Sequence, residues 1–268
     1  MRYAIISDIH ANLAAFQAVL EELRDVDRIW CLGDMVGYGP NPNECIELLR
    51  RLPHIAVAGN HDWAVIGELP LTDFNDDARW VCEWTRQQLT PDNLAYLAEL
   101  PTTIVQGNFT LVHGSPREPV WEYLLYPRTA QQNFAHFQTD YCLVGHTHVP
   151  TVFQGPLLLA ERVDGAVTRP FHQMLTALEQ GRTVGTELPE ALVRPNEPLH
   201  LGTRRLIINP GSVGQPRDGN PQASYAIYDT EQGTIEYHRV PYPVEKTQAQ
   251  MEAIGLSQRL IARLSLGW

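Results

Sequence analysis

The sequence predicts an α/β fold built in layers. Short apolar runs alternate with stretches of helical periodicity through its first half, which calls for parallel strands joined by helices. Polar motifs stand where those runs end, the position at which open sheets of this kind gather ligands. Later, paired runs around glycine turns mark neighbouring antiparallel strands.

Residues 2–7 (RYAIIS) form the first β-branched run. Leu13, Phe16, Val19, Leu20 and Leu23 then recur at helical spacing behind a candidate cap, Asn12. The scheme repeats with a strand over 28–32, a loop over 33–40, and a helix opened by Asn41 as cap, Pro42 at the first position and Glu44 three residues after the cap. A third apolar run, 55–58, ends at Gly59. Helices are predicted over 73–88 and 91–100, the second opened by Thr90 and Pro91. Gly107 and Asn108 separate strands 102–106 and 109–112 as a hairpin. A strand over 141–144 ends at Gly145, a late hairpin joins 224–228 to 234–240 around Gly233, and 244–264 reads as a helix broken near Gly255. Between 154 and 196 the pattern loosens around one candidate helix, 170–180. A structureless loop of that length is uncommon inside a compact domain, so the segment is expected to be a folded excursion or cap. The chain, 1–268, is thus expected to be a single domain with an insertion at 154–196.

The 268 residues carry 20 Lys and Arg against 31 Asp and Glu, a formal net charge of −11. That sign opposes non-specific attraction to nucleic acid or anionic lipid, so nucleic-acid partners are disfavoured. Cys31, Cys45, Cys82 and Cys142 form no C-x-x-C pair and occupy apolar or helical contexts, as reduced core thiols do. No basic stretch leads into a long apolar run, and no apolar run reaches the ~18 residues of a membrane span. A cytoplasmic protein without a membrane partner is expected, and assembly into homo-oligomers is open.

Five motifs stand at strand ends: Asp8-Ile9-His10, Gly33-Asp34, Gly59-Asn60-His61-Asp62, His113-Gly114 and Gly145-His146-Thr147-His148. Asp8, His10, Asp34, Asn60, His113, His146 and His148 all offer metal-binding atoms. Imidazole nitrogens mixed with carboxylate and amide oxygens suit Mn, Fe, Co, Ni or Zn better than Mg or Ca, which favour oxygen shells. A lone Asp or His after a strand is usually a loop cap or a satisfied polar group. His54, His136, His172, His200 and His238 keep that reading because no motif accompanies them.

In their order these motifs resemble the calcineurin-like metallophosphoesterase family, whose pattern runs D-x-H, G-D, G-N-H-D/E, H and G-H-x-H. Asn209-Pro210-Gly211-Ser212-Val213 is similar to the closing motif of that family's small bacterial and archaeal phosphodiesterases, although a strand followed by a Pro-Gly turn explains it equally well. The resemblance implies a layered sandwich of two mixed β-sheets flanked by helices, and a phosphoesterase with two divalent ions, manganese being the expected metal. It implies that Asp8, His10, Asp34 and His148 bind one ion, and that Asp34, Asn60, His113 and His146 bind the other, with Asp34 as the bridge. Two metals about 3.5–4 Å apart can acidify a bridging water, giving a hydroxide for direct attack on phosphorus. By the same resemblance His61 is not a ligand but protonates the leaving oxygen or stabilises its charge, with Asp62 as its orienting partner. Divalent ions would also give an acidic protein a locally cationic site for an anionic substrate.

Asn60 and Arg217 are candidate substrate contacts, Arg217 through a bidentate grip on phosphate, although a solvated loop arginine is the commoner situation. The loop 37–41 (GYGPN) can line the site through Tyr38 or Asn41, yet turn formation and helix capping already account for its composition. Protein phosphatases of the superfamily carry G-D-x-x-D-R-G, and here the chain reads Gly33-Asp34-Met35-Val36-Gly37-Tyr38-Gly39. That departure points to a phosphodiesterase acting on a small phosphate ester or nucleotide. A phosphomonoesterase or a diadenosine-polyphosphate hydrolase is the alternative. A non-catalytic scaffold like the retromer subunit of this fold is a lesser reading, since every candidate ligand and His61 are retained. A nuclease would need a basic groove.

Overall fold

The computed structural model describes residues 1–157 and 197–268. Their strands form two mixed sheets. In the first, β1 (Arg2–Ile6), β2 (Arg28–Cys31) and β3 (His54–Ala56) run parallel. Beyond β1 lie β10 (Ala223–Asp229), β11 (Thr234–Val240) and β8 (Leu199–His200), each antiparallel to its neighbour, giving the order β3-β2-β1-β10-β11-β8. The second sheet holds β4 (Thr103–Gln106), β5 (Phe109–Val112), β6 (Tyr141–Leu143), β7 (Thr151–Leu157) and β9 (Arg204–Asn209) in the order β4-β5-β6-β9-β7. There β5, β6 and β9 are parallel, and the two outer strands are antiparallel to them.

Alternation of side chains along each strand explains why the sheets stack. On β1, Ile5 faces the second sheet and packs with Trp30, Leu32, Leu111, Leu143 and Ile208 between the layers. Ala4 and Ile6 face the other way, into a core with Phe16, Ile46, Leu49, Val81 and Leu260. Those last residues come from α1 (Leu13–Glu22), α2 (Pro42–Arg50), α4 (Asp76–Gln88) and α8 (Gln258–Leu266), with α3 (Asn60–Ile66), α5 (Pro91–Ala98) and α7 (Val244–Ala253) on the same side. On the far face of the second sheet Cys142 and Ile207 meet Ala130 and Phe134 at α6 (Pro127–Asn133). The expected α/β sandwich of two mixed sheets with flanking helices is therefore present.

Local signals explain most element boundaries. Asn12 accepts the Ala15 N–H at the start of α1, as a cap should. Asn41 holds the cap position of α2 but makes no side-chain capping bond, leaving Pro42 to set the first turn. The helix expected from 73 starts at Asp76 instead, because Asn75 accepts the Ala78 N–H, and Leu71–Asp73 winds into a separate 3-10 turn. The C-terminal helix breaks as expected, into α7 and α8 on either side of Gly255. Helices α3 and α6 and strands β7 and β9 were not among the sequence expectations. The segment expected to loosen at 154 begins instead with the last residues of β7; the rest of it, including the candidate helix 170–180, lies outside the described residues. All four cysteines are buried and free. No helix among the described residues is long and apolar enough to cross a membrane.

Candidate metal centre

The two sheets deliver the motif residues to one place from opposite sides. Asp8, His10, Asp34 and Asn60 follow β1, β2 and β3 of the first sheet, whereas His113, His146 and His148 follow β5 and β6 of the second. All seven are almost fully buried. Asp8, His10, Asp34, His146 and His148 each have positive φ, of 55°, 48°, 51°, 65° and 61°. Left-handed backbone at a non-glycine residue is held only where the surroundings fix it, at about 1–3 kcal/mol each, and such strain concentrates at functional sites. Gly59 has no room for a side chain: a Cβ there would lie 2.1 Å from Asp34 Oδ1.

The hydrogen-bonding of the four imidazoles decides what the cluster can do. His10 Nδ1 donates to the Val36 carbonyl at 3.0 Å, His148 Nδ1 to Gln215 at 2.6 Å, His113 Nδ1 to Leu32 at 2.8 Å and His146 Nε2 to Trp121 at 3.0 Å. A carbonyl oxygen only accepts, so each of those nitrogens carries its ring's hydrogen, and in a neutral ring the other nitrogen presents a lone pair. Those lone pairs point at one another. His10 Nε2 lies 3.0 Å from His148 Nε2, and His113 Nε2 lies 3.1 Å from His146 Nδ1 and 3.1 Å from Asn60 Oδ1. Carboxylate oxygens join them: Asp8 Oδ1 is 3.2 Å from His148 Nε2 and 3.8 Å from His10 Nε2. Asp34 Oδ2 is 3.6 Å from His10 Nε2 and 3.4 Å from His113 Nε2, so it belongs to both groups.

With all four rings neutral, such a buried convergence of acceptors is unfavourable unless a cation or an added proton sits among them. Asp8 Oδ1 sharpens the point, being buried with no hydrogen-bond donor, while Oδ2 accepts the His146 N–H at 3.1 Å. Asp8, His10 and His148 form one potential ion-binding group, and Asp34, His113 and His146 another. Anchoring of each ring's remote N–H on a backbone carbonyl is the outer-shell arrangement that orients metal-binding histidines. The donor set therefore fits bound metal.

Electrostatics of the ion-free protein agree. Burial alone would raise the Asp8 and Asp34 carboxyls, but neighbouring histidines, chiefly His148 for Asp8 and His113 for Asp34, hold both well below the usual range. Burial lowers His113, yet Asp34 outweighs it and pushes the ring up to about 9. His10 and His146 are driven down, mainly by burial and by the adjoining imidazoles. The pull of Asp34 thus favours a charged His113 where a cation is called for.

The placement of Asp62 departs from expectation. Asp62 does not touch the His61 ring. Its Oδ1 accepts from Met35 N (3.0 Å) and Val36 N (3.3 Å), and its Oδ2 accepts from Gly59 N (3.0 Å), so it closes the first turn of α3 and ties it to the Asp34 loop. The atom that touches His61 Nδ1 is Cys82 Sγ on α4, at 3.4 Å. His61 itself stands at the centre: a ring nitrogen, His10 and Asp34 present atoms within 4.8 Å of one another, and its backbone N–H binds Asp34 Oδ1 at 2.9 Å.

Arg217 is no free loop arginine. Its Nη2 donates to Gln215 Oε1 at 2.8 Å, its guanidinium lies 5.7 Å from the centroid of the Tyr38 ring, and its charge acts on His10, His61 and His148. Tyr38 packs against His10 and His61, with centroids 4.8 and 4.5 Å apart. Asn209 donates to the Gly145 carbonyl at 2.7 Å and to Thr147 Oγ1 at 3.0 Å, and Ser212 Oγ donates to the Asp8 carbonyl at 2.9 Å. The 209–213 motif is thus a clamp on the loops carrying Asp8 and His146. Unanticipated in the sequence are Cys82, Trp121, whose carbonyl orients His146, and Tyr123, whose ring lies 3.8 Å from that of His146. His54 bonds to the Tyr96 hydroxyl and His238 stacks on Tyr225, both away from the centre; His172 lies outside the described residues.

Residues 1–173 match the calcineurin-like phosphoesterase superfamily domain. The chain belongs to that superfamily. Similarity to individual proteins extends through the whole length. An uncharacterized protein of Methanocaldococcus jannaschii is 37% identical over 273 residues, covering 98% of this chain and 97% of that protein. The crystal structure of a metallophosphoesterase from Sphaerobacter thermophilus is 45% identical, with a TM-score of 0.81 and coverage of 100% of this chain and 99% of that one. A hypothetical protein from Pyrococcus horikoshii shares the fold at 18% identity, with a TM-score of 0.72 and coverage of 100% and 98%. The cluster described above thus lies in a chain of the calcineurin-like phosphoesterase superfamily, and its residues, from Asp8 to His148, all fall within the matched span.

Proposed function

We propose that the protein is a dinuclear metal-dependent phosphodiesterase acting on a small phosphate ester or nucleotide. The observation that carries this reading is the buried convergence of imidazole nitrogens and carboxylate oxygens, with Asp34 Oδ2 close to His10 on one side and His113 on the other. Asp8, His10, Asp34 and His148 would hold one ion; Asp34, Asn60, His113 and His146 would hold the other. Manganese is the expected metal, with Fe, Co, Ni and Zn suited to the same donors. Metal held by these residues would supply Lewis acidity towards water and phosphoryl oxygens.

The chain's own groups do the rest. Arg217, braced by Gln215, offers its guanidinium to a phosphate oxygen, and Asn60 Nδ2 offers a second donor. His61 serves the leaving oxygen. Burial holds its ring low, at about 4, against the opposing pull of Asp34, so near neutral pH the ring is uncharged and acts by hydrogen-bond donation to the departing oxygen. A reducing compartment, the cytoplasm, suits four buried free thiols.

The test is a hydrolysis screen of aryl and alkyl diesters, monoesters and dinucleoside polyphosphates with Mn, Ni, Co, Fe, Zn and Mg, alongside metal analysis of the same samples. Diester turnover that needs a transition metal is the expected result. Turnover of monoesters or dinucleoside polyphosphates alone would move the assignment to those classes, and a metal-loaded protein inert on all of them would make it a scaffold.

A further inference from the structure

We propose that Cys82 is a positioning residue, whose thiol donates to His61 Nδ1 and so fixes the ring hydrogen on Nε2, the nitrogen left to face a leaving group. Cys82 Sγ lies 3.4 Å from His61 Nδ1, with Cys82 1% and His61 3% exposed, so water does not compete for the contact. Among the described residues Nδ1 has no other partner. Asp62, the neighbour in sequence, spends both oxygens on backbone N–H groups. Gly37, which packs against the ring, offers no side chain there, because a Cβ on it would lie 2.5 Å from that same Nδ1 and the residue holds φ +88°. Cys82 reaches in from α4, a helix whose start is fixed by Asn75.

Contacts with Tyr38, His10 and Phe74, at centroid distances of 4.5, 5.0 and 5.3 Å, hold the plane of the His61 ring. They do not choose which nitrogen carries the hydrogen. The thiol does. An imidazole nitrogen is a strong acceptor and thiol sulfur a weak one, so S–H donating to Nδ1 is the better arrangement than the reverse, and it leaves Nε2 as N–H. Cys82 makes and breaks no bond in the reaction.

The catalytic consequence rests on the phosphoesterase reading; the tautomer does not. Two variants separate the hydrogen bond from packing: Cys82→Ser keeps a donor, and Cys82→Val fills the space without one. Nitrogen-15 correlation spectra of the zinc-loaded protein read the tautomer of His61. The hydrogen is expected on Nε2 in the wild type and the serine variant, and redistributed towards Nδ1 in the valine variant. Turnover of diesters with poor leaving groups should fall by about tenfold in Cys82→Val, a part of the ~10²–10⁴ that such a group contributes, with nitrophenyl esters and metal content little changed and with recovery in Cys82→Ser. A valine variant with its hydrogen still on Nε2, or one slowed equally on every leaving group, overturns the proposal. Wild-type protein inert on all phosphoesters would sink the functional reading while leaving the spectra to judge Cys82.

Discussion

At the scale of single residues, the centre is a set of acceptors awaiting charge. In the metal-free protein His113 meets part of that need, its folded pKa lying near 9 against an ordinary 6.5. The protonated ring therefore stabilises the metal-free fold fully below pH 6.5, and this contribution fades as pH rises through about 9. A metal must displace that proton, so binding at pH 7.5 should release about one proton per protein from this ring, measurable by calorimetry in buffers of differing ionisation heat. Heats independent of buffer would refute the assignment. His61 plays the opposite part. His61→Ala should retain the metals and lose about 10²-fold or more in turnover of esters with poor leaving groups. Loss of metal along with activity would instead make His61 a ligand.

The seven motif residues were legible in the sequence because their order and their place after strands are chemical facts written in side chains. Their orienting partners were not. Val36, Leu32, Trp121 and Gln215 act through backbone carbonyls, which every residue possesses, so side-chain identity carried no signal. Asp62 misled for a related reason: adjacency to His61 suggested a side-chain pair, whereas the first turn of α3 needed its carboxylate for backbone N–H groups.

At the scale of elements, the sheet supplies position and the glycine turns supply closeness. Gly59 lets the start of α3 approach Asp34 until the His61 N–H reaches Oδ1. Gly59→Ala would drive a Cβ into that carboxylate and should cost roughly 2 kcal/mol or more, lowering the denaturant midpoint and the metal content together. A variant as stable and as metal-rich as the wild type would show that the approach is not needed. Helical periodicity and capping residues made α1, α2, α4 and α5 readable. Strand β9 was not, because it lies between β6 and β7 with both faces buried, so the alternation that marks a half-buried strand is missing. Helix α3 hid behind a motif whose polar residues are all buried, Asn60, His61 and Asp62.

At the scale of the whole molecule, the site exists only where the two sheets meet. One sheet carries Asp8, His10, Asp34 and Asn60, and the other carries the remaining three histidines. Ions bound between them should therefore fasten the layers, and metal should raise the thermal midpoint by the linkage between binding and folding, with chelator lowering it. Identical melting with and without metal would mean that the layers do not depend on the centre. On the proposed reading, ions bound there would reverse the sign locally, so that an acidic chain of net charge −11 would still attract an anionic ester. The parallel first half of the fold followed from sequence pattern alone, whereas division of the strands into two stacked sheets did not, since periodicity says which face is apolar but not what covers it.

The central claim is that two ions share Asp34. Anomalous diffraction at the manganese edge from crystals grown with manganese tests it most directly. Two peaks are predicted, one among Asp8, His10 and His148 and one among Asn60, His113 and His146, with Asp34 Oδ2 between them. A single peak, or two peaks that leave Asp34 outside their coordination, would contradict the account.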